Sequence, residues 1–369
     1  MLAALNPPPR YLLGPGPAPV EPSVLAAMGR PLLGRDDPEF VRIVDQVLDG
    51  LRSAFRTANR LTLALPGSSA TAMEAALANV IQADDPVVVG VNGLGGQRMA
   101  EAARRAGGRV SEVTAPWGRT IPTEQLAETA RQRGAKVVAV VHADGSTGAR
   151  QAVEELRDAL GGERLLVVDG AVSLAGIPLE VEAWGIDACF SVTDQCLSAP
   201  PGLALVTFSR RVEDLLGKRT EPVRSWHLDL GRLRDAPDSL PANLIYGLHE
   251  GLRLVEREGL EARWKRHAEA GRFLQESLEE LGFDILASPG QRVPQLTVAR
   301  LPEGIDDDLR HVLLEDFDIA VGSGLGELAG RAWRIGLMGF GARREHALRL
   351  LQALRALLSI PGGLARARR

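Results

Sequence analysis

Residues 136–148 read KVVAVVHADGSTG and residues 165–170 read LLVVDG. Each is a short, largely β-branched apolar run that stops abruptly at polar residues and glycine, as a strand buried on both faces does. Working outward, Val87–Val91, Ala188–Ser191 and Leu203–Phe208 are runs of the same kind. Between them, residues 96–106 and 123–133 carry helical stretches. Strands that are apolar throughout and alternate with helices build a mostly parallel sheet covered on both faces, so the fold class is α/β. Ligands of such sheets sit beyond the carboxyl ends of the strands. The residues just after each run are therefore the ones to read for chemistry.

The chain has 369 residues and is 45% hydrophobic, enough for a large core and a second, smaller domain. Residues 1–20 are rich in proline and glycine and are expected to form an extended arm. A helix is expected from about 38 to 56, within a large α/β domain over 21–240. Residues 241–369 then hold a long connecting helix, from near Asn243 through Leu260, and a smaller α+β domain. Its strands are placed at Phe283–Leu286, Gln295–Val298 and Ile319–Ala320, and its helices near 306–315 and 342–358.

Composition excludes several classes of function. A net charge of −4 and a pI near 6.0 give no whole-chain attraction to nucleic acid or to an anionic membrane. No apolar run approaches the ~20 residues needed to cross a bilayer, and no signal pattern opens the chain, so a cytoplasmic location is expected. Cys189 and Cys196 are too few for a disulfide framework, and neither they nor the histidines show metal-ligand spacing, so no metal is expected. Lysine is scarce: of 43 basic residues only Lys136, Lys218 and Lys265 are lysine.

Residues 190–202 read FSVTDQCLSAPPG. With LGPGP (13–17), PGSSATAMEAA (66–76), NGLGGQR (92–98), HADGSTG (142–148), VVDGAVSLAG (167–176), WGID (184–187) and WRIGLMG (333–339), this segment resembles the alanine–glyoxylate / serine–pyruvate aminotransferases of class V. The resemblance covers nearly the whole chain. It implies a seven-stranded-type sheet, pyridoxal phosphate as the family's cofactor, and a site built across a dimer. It further implies that Asp169 pairs with the protonated pyridine nitrogen and that Arg334 grips a substrate carboxylate with its guanidinium fork. Ser68 and Ser69 fall in the strand-to-helix turn that cradles phosphate. Gly14, in LGPGP, and His227, in SWHLDL where relatives have an aromatic, are placed with the substrate. His142, ending its strand, is placed as an acid–base group.

The departures fall on cofactor-contacting positions. Gln195 stands where the resemblance implies the lysine that carries the cofactor as a Schiff base, and an amide nitrogen is no nucleophile toward an aldehyde. Asp194 stands for a glutamine beside the phosphate, where a carboxylate at ~4 Å opposes a dianion by a few kcal/mol. Ser69 and Ala70 replace a glycine and a histidine, Gly95 the aromatic residue over the ring, and Gly145 a serine or threonine. Ala236 falls near a tyrosine that reaches the partner subunit, and Ser239 stands in for its companion threonine. These changes together lead to the expectation of a repurposed enzyme that needs no cofactor, acting on a small carboxylate-bearing amino or keto acid. Gln195, Asp194, Asp169 and His142 would be its catalytic groups, in a homodimer. Two other readings stay open. One is a non-catalytic partner subunit or ligand-binding protein, including a heterodimer with an active paralogue. The other is a residual transaminase with pyridoxal phosphate bound non-covalently.

Overall fold

A computed structural model describes residues 2–235 and 240–358. Ala236 and Ser239 lie outside the described residues. The strands are β1 (Tyr11–Leu12), β2 (Leu61–Pro66), β3 (Pro86–Val91), β4 (Arg109–Thr114), β5 (Val137–Val141), β6 (Leu165–Asp169), β7 (Ala188–Val192), β8 (Leu203–Phe208), β9 (Asp284–Ile285), β10 (Leu296–Arg300), β11 (Ile319–Ala320), β12 (Gly322–Ser323) and β13 (Ala332–Gly336). The helices are α1 (Pro22–Met28), α2 (Pro38–Phe55), α3 (Ser69–Val80), α4 (Leu94–Arg105), α5 (Thr123–Gln132), α6 (Leu156–Leu160), α7 (Arg210–Lys218), α8 (Leu230–Asp235), α9 (Ala242–Glu258), α10 (Leu260–Glu280), α11 (Leu309–Phe317) and α12 (Arg344–Leu358).

The large sheet has seven strands in the order β2-β8-β7-β6-β5-β3-β4. From β4 to β7 every neighbouring pair is parallel, whereas β8 runs antiparallel to β7 and to β2. The valine runs explain why it is a buried sheet. Successive side chains leave opposite faces, so Val138 and Val140 join a core with α2, α5 and α9, while Val137, Ala139 and Val141 join a second core with α3, α4 and α7. All five residues of β5 are buried. The strand order reverses between β3 and β5, which leaves a crevice where their carboxyl ends separate.

Two strands of this sheet escape a search for apolar runs. β4 (RVSEVT) is an edge strand with exposed and half-buried positions. β2 is the other edge and ends in Pro66, a residue that edge strands tolerate because it has no N–H to donate.

Four short strands, β12-β13-β10-β9, form a second, antiparallel sheet. Trp333, Ile335 and Ala299 pack there with Leu274 and Leu278 of α10 and Leu350, Leu351 and Leu354 of α12. The expected single long connecting helix is two, because Gly259 takes φ +81° between α9 and α10, a conformation that ends a helix. The N-terminal arm is tied down: β1 pairs in parallel with β11, and Gly336 N donates to Leu13 O at 2.8 Å.

Candidate functional site

A cavity of about 710 Å³ opens at the carboxyl ends of the large sheet, in the crevice where the strand order reverses. Its lining comes from the segments after β2 (Gly67, Ser68, Ser69), β3 (Leu94, Gly95, Arg98), β5 (Ala143, Gly145, Ser146) and β7 (Asp194, Gln195), with Asp169 closing β6. Pro15, Leu325 and Arg334 reach it from the N-terminal arm and the smaller sheet.

Asp169 is a carboxyl set into the cavity wall at the end of a central strand. Its Oδ1 accepts from Ala171 N at 2.8 Å. Burial pushes the carboxyl up to about 7, the Ala171 N–H offsets part of this, and the charge of Asp144 adds to the rise. No cation among the described residues stands beside it to hold the negative charge.

Asp194 and Gln195 follow β7. Burial raises the Asp194 carboxyl, with its own backbone N–H acting in the opposite direction. Gln195 Nε2 donates to Pro15 O at 2.8 Å, while Oε1 is buried with no hydrogen-bond partner. Gly16 makes this approach possible. A Cβ there would lie 2.5 Å from Nε2, and its φ of +136° is one that side-chain-bearing residues rarely adopt.

At the opposite wall Arg334, on β13, donates from Nε to Ser323 O at 2.8 Å. Its Nη1 lies 3.4 Å from Gly145 O, too long to count for much. Neither partner is a carboxylate. Burial and the charge of Arg98 both lower the Arg334 pKa, with Asp144 acting the other way. The fork is thus a desolvated cation at the cavity wall, suited to an anionic group.

At the phosphate-like corner the first turn of α3 carries Ser68 and Ser69, both exposed to the cavity. Ser68 N donates to Thr71 Oγ1 at 3.1 Å, and Gly67 N to Gly202 O at 2.8 Å, so the turn is fixed in place. The remaining first-turn N–H groups of a 12-residue helix, with its dipole, favour an anion here.

Gly95 is walled in by Asp144. The Gly95 N–H donates to Asp144 Oδ2 at 3.1 Å, and Asp144 Oδ1 accepts from Ser146 N at 2.8 Å and Thr147 N at 3.0 Å. A Cβ on Gly95 would meet Asp144 Oδ2 at 2.8 Å and Val141 Cγ2 at 3.2 Å. The buried Asp144 carboxylate thus holds the start of α4 where a side chain from position 95 would otherwise begin.

Not every residue read from the sequence reaches the cavity. His142 is turned away, which corrects its placement as an acid–base group. It continues the face of Val138 and Val140, packs edge-on against Trp184 at 5.4 Å, and has neither ring nitrogen hydrogen-bonded. Burial, with some help from the Arg150 charge, lowers it to about 3, so it stays neutral. Gly14 lies against the smaller sheet and is not on the wall; its neighbour Pro15 is. His227 is exposed and lines a different cavity, of about 700 Å³, against β2 and α2. Cys196 is buried, with its thiol pushed up to about 12, and is inert.

Arg98, Asp144 and Pro15 were not singled out from the sequence. The signal for Arg98 was present, since it lies less than one helical turn beyond Gly95 in NGLGGQR. Of the three lysines none lines the cavity. Lys136 pairs with Asp85 at 2.6 Å at the start of β5, Lys265 with Glu269 at 3.9 Å on α10, and Lys218 ends α7. Among the described residues no cluster could hold a metal ion, and no helix is long and apolar enough to cross a membrane.

The chain belongs to the class V aminotransferases: the family profile matches residues 10–330. Within that family it is 33% identical to the (S)-ureidoglycine–glyoxylate transaminase of Bacillus subtilis (strain 168), over 95% of this chain and 90% of the relative. It is 35% identical to the alanine–glyoxylate aminotransferase of Callithrix jacchus, over 97% and 90%. Among solved structures, the alanine–glyoxylate aminotransferase of Nostoc sp. superposes with a TM-score of 0.92 at 39% identity, covering 97% of each chain. An aspartate aminotransferase of Thermus thermophilus superposes at 0.86 with 29% identity, covering 97% of this chain and 99% of its own. The architecture is thus the aspartate-aminotransferase-like α/β fold, with the mostly parallel, seven-stranded sheet that the sequence led us to expect.

Family membership corrects one expectation outright. A chain with no need of a cofactor is at odds with a family of pyridoxal-phosphate enzymes matched over most of its length. The cavity agrees with that correction in three respects. Asp169 is a half-buried carboxyl with no cation beside it among the described residues, the α3 N-terminus is suited to an anion, and the volume is ample for a substituted pyridine.

Proposed function

We propose that this protein holds pyridoxal phosphate, or the amine form of that cofactor, by non-covalent contacts alone and acts on a small amino acid or its keto acid. One observation carries the reading: a cavity with a place for each charged part of the cofactor has no lysine among the described residues of its wall. Gln195, in this reading, occupies the position of the family's cofactor-bearing lysine, while Asp169, the turn at Ser68 and Arg334 remain to hold the cofactor and its substrate.

Asp169 would hold the proton on the pyridine nitrogen, since a cation beside it relieves the burial that now pushes its carboxyl up. Ser68, Ser69 and the first turn of α3 would take the phosphate. When bound, the cofactor supplies an electron sink for charge developing at the substrate carbon. Arg334 would orient the substrate by its carboxylate. Asp194 is the titratable group beside Gln195, and its raised pKa suits Oδ2 to accept a proton and return it.

The experiment is to add pyridoxal phosphate to the purified protein, record its absorbance, reduce with borohydride and weigh the intact chain. The expected result is a chromophore lost on gel filtration and a chain mass unchanged by reduction. A mass increase of one reduced cofactor at a single site would overturn the proposal and leave a conventional transaminase using an unforeseen lysine.

A further inference from the structure

Asp194 and Gln195 together offer hydrogen-bond acceptors and almost no donors. A single point beside Gly16 lies 2.5 Å from Gln195 Nε2 and 3.6 Å from Asp194 Oδ2, so the two side chains flank one small volume. One of the two Nε2 N–H groups is already committed to Pro15 O. The other amide atom, Oε1, is buried and takes no hydrogen bond, and Asp194 has no side-chain donor among the described residues. The wall has no lysine among the described residues, its cations being Arg98 and Arg334, and no cation among the described residues acts on Asp194.

We propose that the Asp194–Gln195 pair makes the site select pyridoxamine phosphate over pyridoxal phosphate. The inference rests on the cofactor site proposed above and deepens it. An aldehyde oxygen only accepts, and it would meet a carboxylate and an amide with one of its two N–H groups already taken. The ammonium of the amine form brings three donors and a positive charge to the same place. Repulsion between Asp194 and the phosphate is common to both forms, so it weakens both and leaves their ratio to the amine. Relative to a site with a lysine at position 195 and a neutral neighbour, the pair here is more negative by two charges, which moves the preference the same way.

Equilibrium dialysis of the full chain tests this, with pyridoxamine phosphate, pyridoxal phosphate and deoxypyridoxine phosphate as probes. Deoxypyridoxine phosphate has neither the amine nor the aldehyde and sets the baseline. The expected result is that the amine form binds about tenfold or more tighter than the aldehyde, the scale of one charge-assisted hydrogen bond. The ratio should fall toward one in Asp194→Asn, and partway in Gln195→Leu if the first variant does not fold. Binding of both forms with equal strength, or tighter binding of the aldehyde, overturns the selection and leaves the non-covalent site standing. Binding of none of the three probes overturns the cofactor site itself, and the selection with it.

Discussion

The side chain of Gln195 and the backbone of Pro15 are joined by a hydrogen bond of 2.8 Å, although 180 residues separate them in the chain. The bond fixes the amide where a ligand would lie against it, and it ties the N-terminal arm to the end of β7. A second tie lies alongside, since Ala18 N donates to Asp194 O at 2.7 Å. The arm is therefore part of the cavity wall, and the site depends on its docking.

Gly16→Ala tests that dependence. The new Cβ would lie 2.5 Å from Gln195 Nε2, on a backbone with φ +136°. The expected loss is about 1–3 kcal/mol of stability by denaturant unfolding, with a weakened affinity for the cofactor. Gly34→Ala is the control, since a Cβ there meets nothing within 4 Å. It should shift stability by no more than about 0.5 kcal/mol. Equal effects from the two substitutions would show that the arm does not hold Gln195 in solution.

Asp169 makes the cofactor-free protein sensitive to pH. Its carboxyl sits at about 7 when folded, against an ordinary value of 3.8. Between these values the folded protein keeps a proton that the unfolded chain has lost, so stability is full below about pH 4 and falls as pH rises through about 7. The whole difference corresponds to about 4 kcal/mol, which water in the cavity reduces to roughly 2. Asp169→Asn should therefore match the parent near pH 3 and be the more stable of the two near pH 8. Thermal melts across that range are the measurement, and parallel curves for the two proteins would refute the assignment. The same substitution should weaken cofactor binding, because an amide cannot balance a pyridinium charge.

The contrast between Asp169 and His142 shows how far the sequence could be read. Valine runs ending at polar residues were enough to place the central strands and the end of the sheet that carries the cavity. Asp169 could be found because it is the last residue of its strand and faces the same side as Val167. His142 failed on parity, since one residue along a strand decides which face a side chain takes. The place of Asp144 has no periodic signal at all: it is set by a turn in which a carboxylate binds backbone N–H groups from two segments. Arg334 sits mid-strand in a five-residue strand too short for alternation to announce it. Family resemblance supplied it, whereas local pattern could not.

Arg334 itself can be tested without any turnover. Its guanidinium is half-buried, hydrogen-bonded to Ser323 O, and unpaired with any carboxylate among the described residues. If it receives the substrate carboxylate, Arg334→Ala should weaken the binding of pyruvate or glyoxylate to cofactor-loaded protein by about 10- to 100-fold, the worth of a hydrogen-bonded charge. Arg334→Lys keeps the charge but loses the planar fork, so its affinity should fall between the two. Calorimetric titration of each protein measures this, with circular dichroism to establish that the fold persists. Stability should change little, because the arginine side chain makes only one good hydrogen bond and one long one. Unchanged pyruvate and glyoxylate binding in Arg334→Ala would move the carboxylate elsewhere, and Arg98 on the same wall would be the next residue to replace.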